Sequence, residues 1–174
     1  MPTGLPAILQ WFEQVGRTKY DPTYLQIGWD LTALQADTSY GLKILLQYAN
    51  RRQRAPHGFE VAGIKAVAAC VRERRPFTEI PNYFRQFYHG SLNLSRNPAM
   101  DPRIATVDVP AILTDLVRGD IVTAFNSIAL NGASHKIRSF FLRDIAVFTG
   151  VATQNWNVQD HWLYCHPVDE WVRF

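Results

Sequence analysis

Residues 130–174 read LNGASHKIRSFFLRDIAVFTGVATQNWNVQDHWLYCHPVDEWVRF, and this stretch decides the fold. A helix is expected from Asp120 to Ala129, stopping at Leu130-Asn131-Gly132, and a second begins near Lys136. The four short residues between them, Gly132-Ala133-Ser134-His135, fit a tight turn joining two helices. Such a turn aims backbone N–H groups and a helix N-terminus outwards. Their partial positive charge suits a phosphate oxygen. Lys136 opens the second helix, and Asp169 follows 33 positions downstream.

The pattern L-x-G-x-x-x-K, an apolar helix, then P-V-D-x-W-V-R resembles the helix–hairpin–helix–GPD base-excision DNA glycosylases. The specific part of the resemblance covers about a quarter of the chain. It implies an all-α, multi-helix domain over residues 1–174, with the hairpin at about 120–148 and the catalytic-Asp loop at about 166–174. It implies that Gly132, Ala133, Ser134 and His135, with Arg138, grip the backbone of double-stranded DNA carrying a damaged base. Lys136 stands where strand-cleaving members have their nucleophile, and Asp169 where the family has its essential carboxylate. A lysine member without an iron–sulfur cysteine pattern points to an oxidised purine such as 8-oxoguanine, with no cofactor.

The residue types fit that chemistry independently. Removing a base from deoxyribose develops positive charge at the anomeric carbon, which a fixed carboxylate stabilises. A deprotonated amine attacking the same carbon gives a covalent intermediate that can become a Schiff base. The base must leave the stack to be reached, so a pocket is needed. Trp156, His161, Trp162, Tyr164 and His166, just ahead of Asp169, are the candidates for its lining, because aromatic faces and polar tips read an extruded base. Asp160, His161 and His166 resemble metal ligands, but nothing completes a four-ligand set, so no metal is expected.

Three departures from the family pattern stand out. Ser134 replaces a second hairpin glycine, and glycine alone tolerates positive φ and close backbone approach without cost. Arg138 replaces a small residue two positions after the lysine. Thr149 to Cys165 reads as an insertion. The family also continues past the aspartate with helices that close the cleft. The expectation is therefore either a polypeptide truncated on its C-terminal side or a missing wall supplied by another chain, for which self-association is a candidate. These points define the competing reading, a DNA-binding protein of the same fold without glycosylase turnover.

The rest of the chain is compatible. It has 174 residues, 47% hydrophobic and 19% charged, with a net charge of +3. That is a globular composition of one-domain size, and it permits a nucleic-acid partner without demanding one. Its two cysteines, Cys70 and Cys165, make no disulfide framework, and neither a signal peptide nor a membrane span is read. The default compartment is cytoplasmic, or nucleoid-associated in a prokaryote.

Helices are expected over 5–16, Tyr40–Arg52, Phe59–Arg74 and Asn82–His89, and again from Asp108. On the Tyr40–Arg52 helix, Leu42, Leu45, Leu46 and Ala49 form the apolar face. Arg51, Arg52, Arg54, Lys65, Arg72, Arg74 and Arg75 face only Glu60 and Glu73 between positions 51 and 75, the strongest basic stretch in the chain. Basic residues in a last helical turn complement the helix dipole, and that role is favoured over DNA contact. Phe84 and Phe87 read as core, while Tyr88 and His89 are the solvent- or pocket-facing candidates. Residues 90–107 read as a long polar loop of the kind that often carries function. Arg143 and Asp144 read as an internal pair.

Overall fold

A computed structural model describes residues 29–50, 57–90, 94–150 and 164, and among them there is no strand. The fold is all-α. The chain divides into two compact units, Met1–Leu31 and Thr32–Phe174. The expected first helix (5–16) lies outside the described residues, as do Arg51, Arg52, Arg54 and Cys165.

The described helices are α1 (Leu31–Ala36), α2 (Thr38–Asn50), α3 (His57–Arg72), α4 (Ile80–Phe87), α5 (Val109–Arg118), α6 (Ile121–Ser127) and α7 (His135–Thr149). Short 3-10 turns cover Phe77–Glu79, Leu94–Arg96, Pro98–Met100 and Pro102–Thr106. The second unit is built around α2, which packs against α3, α5 and α7. Asp37 starts α2 by accepting the Ser39 N–H at 2.8 Å, satisfying one of the donors a helix start leaves unpaired.

Burial on α2 extends beyond the single apolar stripe. Gly41, Leu42, Ile44, Leu45, Leu46 and Ala49 are all buried. A helix apolar on most of its circumference belongs in the middle of a bundle. Gly41 lets α5 come close, because a Cβ there would lie 2.4 Å from Val109 Cβ.

On the α3 side, α4 packs through a cluster of rings. Phe59 lies 4.5 Å from Tyr88 and 5.9 Å from Phe84. Tyr88 is half-buried, with its ring packed on Phe59 and Phe84. It is the C-cap of α4 with extended backbone, at φ −114 and ψ 112, and that turn brings its ring onto Phe59. His89 is exposed, and Phe84 is fully buried.

Helix α3 ends two residues before a left-handed Arg74 at φ 51. The Arg75 N–H returns to the Cys70 carbonyl at 2.8 Å, closing the helix end. Arg72 pairs with Glu73 at 2.6 Å, and Glu73 also accepts the Tyr83 hydroxyl.

The polar segment after α4 is a chain of capped turns. Asn97 accepts the Ala99 N–H at 2.9 Å, Asp101 accepts the Arg103 N–H at 2.9 Å, and Asp108 accepts the Ala111 N–H at 3.3 Å. Each cap precedes a proline at the first or second helical position, where a missing N–H costs nothing. Asn97 is buried and donates to Asn50 at 3.0 Å, tying the segment to the end of α2.

Helix α5 ends at Gly119 in the left-handed region, at φ 80, and the Asp120 N–H returns to Asp115 at 2.8 Å. Asp120 then precedes α6 and accepts the Thr123 hydroxyl at 3.2 Å. Helix α7 is locked to α2 where Tyr48 donates to the buried Asp144 at 2.6 Å. Arg143 pairs with the same carboxylate at 2.6 Å.

Candidate nucleic-acid interface at the α6–α7 turn

Helix α6 stops at Ser127 and α7 begins at His135. In the connection, the Ala133 N–H bonds the Leu130 carbonyl at 3.0 Å, and Gly132 sits at φ 82. Only glycine takes that conformation cheaply. A Cβ on Gly132 would also meet the Arg96 carbonyl oxygen at 1.8 Å. Gly132 is thus required twice, by its dihedral and by the backbone beneath it.

Two hydrogen bonds pin the turn to the capped segment. The Asn131 N–H donates to Asp101 Oδ2 at 2.6 Å, and the Asn131 side chain donates to the Ser95 carbonyl at 2.6 Å. Asp101 is buried and grips Arg103 through Nε and Nη2, the latter at 2.7 Å. The Arg103 guanidinium, helped by the Asn131 N–H, holds the Asp101 carboxyl at about 2 against the opposing effect of burial. Sequence reading missed Asp101 and Asn131. The Asp101-Pro102 pair marks a turn, but nothing local shows that its carboxylate reaches 30 residues along the chain.

The departures at Ser134 and Arg138 have local explanations. Among the described residues only Arg74 has positive φ without being glycine, so Ser134 needs no glycine. Its carbonyl accepts the Arg138 N–H at 3.1 Å, which puts Ser134 at the N-cap of α7, a position serine favours. The Arg138 guanidinium lies 4.0 Å from the Phe125 ring centroid. This is a cation–π contact made with a buried ring. Its Nε is buried without a hydrogen-bond partner, and burial pushes the group below its ordinary pKa. Arg138 is accordingly a packing residue of the α6–α7 pair as well as a cation near the turn.

Phe125 gathers two further candidates. The His135 ring lies 4.7 Å from it, and Tyr164 meets it edge-on at 5.0 Å. His135 Nδ1 is 3.3 Å from the Ser139 hydroxyl. Ala133 is buried, Ser134 exposed and Lys136 half-buried, with its Nζ 5.9 Å from the Phe140 ring. The structure thus brings Gly132, Ala133, Ser134, His135, Lys136, Arg138 and Tyr164 to one end of α6 and α7. Asp169, Trp156, His161, Trp162 and His166 lie outside the described residues.

Among the described residues no group of three His, Cys, Asp or Glu is placed to hold a metal. No described helix is long and apolar enough to cross a membrane. A cleft of about 260 Å³ opens beside the turn, lined by Arg103, Thr106, Asn126, Ser127, Ala129 and Leu130. Compared with known proteins, the chain matches no family model, no curated protein and no solved structure.

Proposed function

We propose that this protein is a base-excision DNA glycosylase with strand-cleaving (lyase) activity, acting on an oxidised base such as 8-oxoguanine in duplex DNA. The observation that carries the reading is the L-x-G-x-x-x-K turn. It has left-handed Gly132 at its bend and Lys136 in the first turn of α7, followed by P-V-D at 167–169. A helix N-terminus behind a pinned turn is a ready anion seat, which suits one strand's backbone. Lys136 then stands beside that backbone, as an amine attacking a sugar carbon must.

In this reading the unprotonated Lys136 amine displaces the damaged base at the anomeric carbon, and the base leaves with the amine's proton. Opening of the sugar's ring C–O bond then turns the adduct into the covalent imine. Asp169 stabilises the positive charge that develops on the sugar. Tyr164, five positions before Asp169 in the sequence, meets Phe125 edge-on. Ser134 stands at the N-cap position of α7, and Arg138 packs on Phe125.

The test is incubation with duplexes bearing a single 8-oxoguanine, with undamaged duplexes alongside. Cleavage at the lesion that disappears in Asp169→Asn is the expected result. Binding to both duplexes without cleavage would replace this reading with that of a DNA-binding protein lacking turnover.

A further inference from the structure

The cleft beside the α6–α7 turn has no part in the reaction above, and it has the makings of a second backbone contact. Arg103 is its one charged lining residue. Two of its nitrogens are held by Asp101, yet its side chain is 62% exposed. The guanidinium is therefore fixed in direction while still presenting an edge to solvent. Asp101 Oδ2 binds both Arg103 and the Asn131 N–H, so cation and turn are registered to a single buried atom.

Most other polar groups of the cleft make local hydrogen bonds. The Thr106 hydroxyl donates to the Arg103 carbonyl at 2.8 Å, and the Ser127 hydroxyl donates to the Thr123 carbonyl at 2.9 Å. The Asn126 carbonyl accepts the Ala129 N–H at 3.0 Å and the Ile128 N–H. These hydroxyls and this carbonyl are engaged in local hydrogen bonds, which leaves the Arg103 guanidinium as the cleft's charged donor. The exposed Asn126 side chain adds an amide donor. At about 260 Å³ the cleft is smaller than most small-molecule sites, roughly 300–1,000 Å³, and suits a single group presented by a larger ligand.

We infer that Arg103 and Asn126 bind a backbone phosphodiester of duplex DNA adjacent to the one held at the Gly132 turn. The inference rests on the DNA-directed function proposed above. A guanidinium preset by a carboxylate gives up little side-chain freedom on meeting phosphate, and it offers a fork of donors matched to phosphate oxygens. Such a contact orients the duplex and carries no sequence information.

The experiment is fluorescence anisotropy of an undamaged duplex across a salt series, with wild type, Arg103→Gln and Asn126→Asp. Asn126 is exposed and the replacement nearly isosteric, so that variant keeps the fold even if Arg103→Gln does not. On this account Arg103→Gln weakens binding about fivefold to tenfold for every duplex and lowers the salt slope by about one ion. Asn126→Asp weakens binding comparably. Wild-type binding with both variants unchanged in affinity and slope overturns the cleft assignment and leaves the function standing. A wild type that fails to bind duplex at low salt overturns both. Inorganic phosphate, added at constant ionic strength, should compete no better than chloride. Millimolar competition lost in Arg103→Gln would make the cleft a free-anion site and overturn the phosphodiester assignment.

Discussion

At the scale of single residues, Asp101 governs the turn. Its carboxyl lies at about 2 in the folded chain against an ordinary 3.8. The stability it contributes is complete above 3.8 and disappears as pH falls from there through about 2. A difference of that size corresponds to about 2 kcal/mol. Asp101→Asn should therefore destabilise the protein by about 2–3 kcal/mol at neutral pH, since it removes a buried, hydrogen-bonded charge partner. It should also flatten the fall in stability between pH 4 and pH 2, as urea unfolding at several pH values would show. An unchanged acid limb would mean that Arg103 and the Asn131 N–H do not hold the Asp101 carboxyl low in the folded chain. Gly132→Ala is expected to cost more than about 2 kcal/mol, because it adds left-handed strain to a clash with a backbone oxygen that cannot swing away. A chemical-denaturation midpoint equal to wild type would refute that.

At the scale of elements, ends and crossings matter more than helix propensity. Arg74 occupies the left-handed position after α3, where glycine is the usual residue. Arg74→Gly should raise stability by up to about 1 kcal/mol, since the strain is local and the side chain is exposed. Gly41→Ala should do the opposite despite alanine's advantage of about 1 kcal/mol within a helix. Its methyl would meet Val109 at 2.4 Å, and forcing α2 and α5 apart costs about 1–3 kcal/mol or more. Thermal melts of the two variants should move in opposite directions, and movement in the same direction would contradict this account of the α2–α5 crossing.

The same scale shows what could be read from the sequence. The helices over 38–50, 57–72, 80–87 and 109–118 each follow a local signal: apolar periodicity, an Asp cap, or a proline in the first turn. The segment after Gly90 reads as a long polar loop. Its Asn97-Pro98, Asp101-Pro102 and Asp108-Val109-Pro110 sequences form a row of turn starts within it. What stayed hidden is non-local. The Asn50–Asn97 and Asp101–Asn131 bonds join residues 47 and 30 positions apart, and no periodicity reports which polar side chain will find which partner. The contact of Tyr88 with Phe59 is equally non-local, since it joins rings 29 positions apart. Around the turn, Gly132 and Lys136 stood out by spacing, whereas the seat beneath them became visible only in three dimensions.

At the scale of the whole molecule, the second unit packs α3, α5 and α7 around α2 and carries a pinned turn, a fixed guanidinium and a half-buried lysine. The proposed chemistry needs these to act on one substrate. Borohydride trapping on a duplex with a single abasic site tests that most directly, because it reads the amine nucleophile without requiring base recognition. The account predicts a covalent protein–DNA adduct in the wild type and none in Lys136→Ala, with both proteins binding the duplex alike. An adduct that persists in Lys136→Ala, or no adduct from a wild type that binds the duplex, would contradict it.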